Sequence, residues 1–302
     1  MNPASPRPRS CLNSLTALLV LCMAAGCIVP RVANGKPARN VILLIGDGMG
    51  PEQVKAAECY KGRPLFFQSW RHTANVDTAS ANSDVTDSAA AGTAMATGRR
   101  VKNGVISTEI PGSSNELFTA LEYFKDNGKF TGLVTSDTMT GATPAAFGAH
   151  ESGRSGLAGI ANDYLTQTRP NVLYGGGKNG MTVEAAGGAG YVVVTNRAGL
   201  LLLNPATVTN IVGLFGGGPL PYELDGAGPY PHLSELAASA ISILEKGPSG
   251  FFLLIEGGNI DHACHANDLP RMIPDVLEFE KAVQTVANWA KKRQDTLIIV
   301  TA

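Results

Sequence analysis

Apolar residues gather in short unbroken runs along this chain. Val41–Ile45 (VILLI), Phe251–Ile255 (FFLLI) and Thr296–Val300 (TLIIV) show no alternation of apolar and polar positions. Runs this short, without period two, predict strands buried on both faces, as in a parallel sheet covered by helices. Phe130–Thr135, Val172–Tyr174, Tyr191–Thr195 and Asn210–Phe215 read as further strands. Helical spacing separates them over Pro51–Cys59, from Ala89 to Gly98, and over Glu116–Asn127, Gly153–Thr168, Ser234–Glu245 and Ile273–Lys292. Thr143-Pro144 predicts a further helix start, with Thr143 as cap and Pro144 at the first position. Gly175–Gly190 reads as a glycine-rich loop. Strands alternating with helices predict an α/β fold with a largely parallel central sheet sandwiched between helices. Internal repeats and a clear domain linker are not found.

The N-terminus changes that picture first. Arg7 and Arg9 precede the apolar segment Leu15–Ala25, which is too short to span a bilayer comfortably, and Ala24-Ala25-Gly26-Cys27 follows. This predicts a secretory signal over 1–27, with Cys27 the lipidated residue of a lipoprotein box and the protein exported to the periplasm or cell envelope. Residues 28–39 read as a polar linker and 40–302 as a single domain. Membrane association is expected only through a lipid on Cys27. The net charge of −1 argues against a nucleic-acid-binding surface. Cys59 and Cys264 are the cysteines outside the signal region, and their pairing stays open.

Candidate chemistry collects where strands end. Glu256 closes the run from Phe251, and Asp261, His262 and His265 follow within nine residues. If the chain turns helical after Asn259, Asp261 and His265 stand four apart on one face and suit a zinc-like ion, while Glu256 offers oxygen to a harder cation. Asp47, at the end of Val41–Ile45, sits where open α/β sheets build their sites. The surrounding Gly46-Asp47-Gly48-Met49-Gly50 is not a dinucleotide fingerprint, because Pro51 takes the third-glycine slot and Asp47 would repel a pyrophosphate. Asp87 or Thr86 caps the helix from Ala89, leaving Ser88 at its first turn, where backbone N–H groups attract anions. Taken alone, that stretch is an ordinary helix start. Arg154, in a Gly/Ser loop, is either solvated surface or a two-pronged phosphate ligand.

NVILLIGDGMG, DVTDSAAAGTAMATG, GATPAAFGAH followed by ESGR, and FFLLIEGGNIDHACH resemble, in order, the successive motifs of the alkaline phosphatase family. The resemblance runs from Asn40 to Ala302. It implies a phosphomonoester hydrolase with two Zn2+ and one Mg2+, in which Ser88 is the nucleophile that becomes phosphorylated. Asp47 would bridge a zinc and the magnesium, and Thr143 and Glu256 would complete the protein part of the magnesium shell. Asp261 and His265 would bind the other zinc, and Arg154, oriented by Asp87, would hold two phosphoryl oxygens. Phosphate monoesters are the implied substrates; the oligomeric state is left open, a homodimer included. Two departures stand out. Gly141 occupies a position where the family usually has Asp or His, and His262 is one of the variants the family shows. In the family, the strand matching Thr296–Ala302 runs into an Asp-His pair of zinc ligands, and a further His follows. The expectation is therefore of a C-terminally truncated chain lacking zinc ligands and retaining little activity, with an inactive phosphate- or metal-binding lipoprotein as the alternative.

Overall fold

A computed structural model describes residues 37–109 and 115–302. The expected signal, lipidation site and most of the linker lie outside the described residues. From Ala38 onward the chain forms one unit.

Its centre is a seven-stranded sheet in the order β4-β5-β3-β2-β6-β1-β7, every pair parallel. The strands are β1 (Asn40–Gly46), β2 (Phe130–Thr138), β3 (Val172–Gly176), β4 (Val192–Val194), β5 (Ile211–Leu214), β6 (Phe251–Gly257) and β7 (Thr296–Thr301). The unbroken apolar runs have the predicted cause. Along β1, Ile42 and Leu44 join one buried cluster while Leu43 and Ile45 join the other, and Leu253 and Leu254 of β6 divide the same way. One face packs on α1 (Pro51–Lys61), α8 (Leu233–Leu244), α9 (Asn259–His265) and α10 (Leu269–Ala290), through Ala57, Leu236, Ile260 and Phe279. The other packs on α2 (Ser88–Thr97), α3 (Ala120–Asp126), α4 (Ala142–Gly148) and α5 (Leu157–Thr166), through Ala89, Leu121, Phe147 and Tyr164.

Several sequence expectations are corrected. β7 is not buried on both sides: it is an edge strand, with Leu297 and Ile299 exposed at 47% and 41%. The helix expected over Glu116–Asn127 begins at Ala120, because Thr119 and Glu122 form a reciprocal capping box. Glu116 instead bridges to Thr108. The glycine-rich stretch contains α6 (Val183–Gly188), whose cap Thr182 accepts from the Ala185 N–H. A further helix, α7 (Arg197–Leu202), is capped by Asn196, a signal the hydrophobic pattern did not carry. Thr143 is not the cap of α4. Gly141 holds that position, without a side-chain cap, and Thr143 lies inside the first turn. Pro144 is tolerated there because the first four N–H groups of a helix have no intrahelical acceptor. Cys59 and Cys264 are both free thiols.

Candidate active site

Parallel strands point their C-terminal ends the same way, so carboxylates placed there by adjacent strands must meet. β2, β6 and β1 are neighbours, with Thr135 paired to Glu256 and Glu256 to Ile45. Glu256 belongs to both pairs; Asp137 lies two residues past Thr135 on β2, and Asp47 two residues past Ile45, just after β1. Glu256 is 2% exposed, accepts the Thr135 hydroxyl at 2.5 Å and is also hydrogen-bonded by the Thr143 side chain. Thr143, inside the first turn of α4, thus turns its side chain toward Glu256.

Gly48 closes the turn after β1 with a φ of +66°, a conformation glycine adopts without the usual Cβ penalty. A Cβ there would lie 2.6 Å from Asp261 Oδ1, so the bare backbone also lets α9 approach. On α9, Asp261 and His265 share a face as predicted, with Oδ2 and Nε2 3.4 Å apart.

α2 delivers Ser88 to the same place. Asp87 is its N-cap and accepts from the Ala90 N–H at 2.9 Å. This puts Ser88 at the first helical position, where its hydroxyl donates to Asp47 Oδ2 at 2.9 Å. The Asp87 carboxylate also accepts from the Gly104 N–H at 3.0 Å and from Arg154 Nη1 at 3.1 Å. One side chain therefore caps the helix, ties down a loop and orients the guanidinium, which stays 46% exposed.

The electrostatics are those of crowded acids. Burial, with the charge of Asp261 next in effect, pushes the Asp47 carboxyl up to about 6. Burial together with Asp47 and Asp137 pushes Glu256 up to about 8. Asp137, whose Oδ1 lies 3.1 Å from His262 Nε2, holds that imidazole above its usual range. Oxygen donors from Asp47, Thr143 and Glu256 form a set suited to a hard divalent cation, and compensation of their mutual repulsion would favour one. The carboxylate–imidazole pair of Asp261 and His265 suits zinc. Among the described residues, no three carboxylate or imidazole groups around Asp47 lie within 4.8 Å of one another. The group that does is elsewhere, Glu223, His232 and Glu278. There His232 is hydrogen-bonded to Glu223, and Glu278 to Lys281 and the Ser234 N–H.

Every residue expected of the site from sequence lies in this assembly: Asp47, Asp87, Ser88, Thr143, Arg154, Glu256, Asp261 and His265. Asp137 was missed. It stands two residues past the predicted strand Phe130–Thr135, in a polar stretch, without the unbroken apolar run that marked Asp47.

Fold and site are those of an α/β protein that presents a serine, at a helix N-terminus, to acids gathered over the ends of parallel strands. The chain belongs to the alkaline phosphatase family, whose family model matches residues 38–302. It is 36% identical over 293 residues to alkaline phosphatase 3 of Bacillus subtilis (strain 168), covering 90% of this chain and 62% of that protein. It is 34% identical over 353 residues to the streptomycin-6-phosphate phosphatase of Streptomyces griseus, covering 95% and 78%. The crystal structure of Thermus thermophilus alkaline phosphatase superposes with a TM-score of 0.81 at 31% identity, over 88% of this chain and 60% of that one. A mutant of the TAB5 alkaline phosphatase with Mg bound in its M3 site gives 0.80 at 28% identity, over 88% and 78%. The chain thus spans about 62% of the length of the first of these relatives.

Proposed function

We propose that the protein hydrolyses phosphate monoesters through a phosphoserine on Ser88. The observation that carries this reading is the 2.9 Å hydrogen bond from the Ser88 hydroxyl to Asp47, at a helix start that faces Arg154. Asp47 accepts the hydrogen bond of the Ser88 hydroxyl and so fixes Oγ at the N-terminal end of α2. The N–H groups of that first turn not taken by Asp87, together with the Arg154 guanidinium, supply donors for the phosphoryl oxygens, with positive charge where negative charge develops. Asp87 holds Arg154 in place for a two-pronged grip.

Asp47, Thr143 and Glu256 would hold Mg2+, and Asp47, Asp261 and His265 would contribute to two Zn2+ sites. Such ions, when bound, lower the pKa of an attacking oxygen and neutralise charge on the leaving one. Support for the magnesium reading comes from the all-oxygen donor set, and from a related phosphatase solved with Mg bound. Export to the periplasm or cell envelope, with a lipid on Cys27, is proposed from the sequence of residues 1–27.

The test is direct. A version of the protein completed with the C-terminal segment of a relative is incubated with a labelled aryl phosphate at alkaline pH, quenched in acid and mapped. Label is expected on the peptide containing Ser88, and is expected to vanish both in Ser88→Ala and after chelation. Label elsewhere, or full turnover by Ser88→Ala, would show the assigned nucleophile to be wrong.

A further inference from the structure

Asp137 has no part in the scheme above, yet its charge acts on Glu256 and its side chain is closely accommodated. Its backbone N–H donates to Thr135 Oγ1 at 2.8 Å, and that hydroxyl donates to Glu256 Oε2 at 2.5 Å. Its own Oδ1 accepts from the Thr138 N–H at 2.6 Å and lies 3.1 Å from His262 Nε2. Two glycines make room for it. A Cβ on Gly258 would lie 2.7 Å from the Asp137 Cβ, and one on Gly141 would lie 2.9 Å from Asp137 Oδ2. Gly141 has φ −59° and ψ 159°, ordinary for any L residue, so nothing in its backbone requires glycine. A side chain at 141 would meet both the Asp137 carboxylate at 2.9 Å and the Thr138 carbonyl at 3.0 Å. The two positions compete for one volume, on the side of the site facing Glu256.

We propose that Asp137 is the anionic group that completes this chain's magnesium site, filling from β2 the space a side chain at 141 would occupy and fixing the His262 imidazole beside it. This rests on the reading of Asp47, Thr143 and Glu256 as the Mg2+ ligands. A role confined to pairing with His262 would be a partly exposed ion pair, of a kind that contributes little to stability.

Calorimetric titration of Mg2+ into the chelator-stripped chain, residues 1–302, separates the possibilities without recourse to turnover. Groups that support a metal site typically change affinity about 10- to 100-fold when removed. Asp137→Asn, which keeps the side-chain shape, and Asp137→Ala are each expected to weaken Mg2+ binding by about that factor. Adding Gly141→Asp to Asp137→Ala is expected to restore most of it, because the carboxylate re-enters the same volume. Glu256→Gln is the reference for the site itself. If Glu256→Gln loses Mg2+ while Asp137→Asn binds as the parent does, the site stands and the role of Asp137 is overturned. A double variant no tighter than Asp137→Ala overturns the shared volume. If the parent takes up no Mg2+, or Glu256→Gln binds equally well, the magnesium site and this inference fall together.

Discussion

Replacing Asp87 tests how much of the site is held by one side chain. Asp87 makes three kinds of contact: the cap to Ala90, the amide of Gly104, and the ion pair to Arg154. Loss of an Asp cap typically costs about 1 kcal/mol, and loss of one amide hydrogen bond about 1 kcal/mol. The ion pair ends on an Arg side chain that is 46% exposed, where solvent screening leaves about 0.5 kcal/mol. Asp87→Ala should therefore destabilise the protein by about 2–2.5 kcal/mol. Asp87→Asn keeps an acceptor oxygen for both amides and loses mainly the ion pair, so it should cost about 0.5 kcal/mol. Urea unfolding supplies the totals, read as midpoint shifts at constant m. Hydrogen exchange at the Ala90 and Gly104 amides supplies the local readout: protection should fall in Asp87→Ala and persist in Asp87→Asn. Equal losses in the two variants, or unchanged exchange in Asp87→Ala, would refute the assignment of most of the stabilisation to the backbone amides.

Two further outcomes are expected. Burial and neighbouring acids raise Asp47 to about 6, Asp275 to about 7 and Glu256 to about 8, so without metal the folded chain holds protons that the unfolded chain releases. The stability these three groups contribute should then be fully present below the ordinary carboxylate range and be lost as pH rises from about 4 to about 8. Chelator-treated unfolding at pH 5 and 8.5 checks this, and Mg2+ should recover stability at the higher pH; a metal-free protein more stable at pH 8.5 would contradict it. Gly48→Ala places a Cβ at φ +66° and 2.6 Å from Asp261 Oδ1, and should lower stability by about 1–2 kcal/mol from the backbone alone. Thermal unfolding measures that loss, and an unchanged midpoint would show that the turn relaxes.

The local codes in the chain were enough for much of this protein. Unbroken apolar runs at Val41–Ile45 and Phe251–Ile255 are satisfied by strands covered on both faces, so the doubly covered parallel sheet was legible. Asp87, the alanines after Ser88 and Gly98 carry the start and stop of α2 within their own neighbourhood, and the spacing of Asp261 and His265 carries their shared helical face. Successive motifs carried the family. What sequence could not supply was adjacency between strands, because pairing depends on non-local burial. The run at Thr296–Val300 resembles the central strands, yet β7 lies at the edge of the sheet and leaves Leu297 and Ile299 exposed. Thr143 followed by Pro144 has the local signature of a cap, but the helix begins at Ala142 with Gly141 as its cap, and the Thr143 side chain is hydrogen-bonded to Glu256. Asp137 is the plainest case. In sequence it is one acid in a polar stretch four residues before a glycine. Only the packing of β2 against β6, with α4 folding back over both, sets its carboxylate where a side chain at Gly141 would have been.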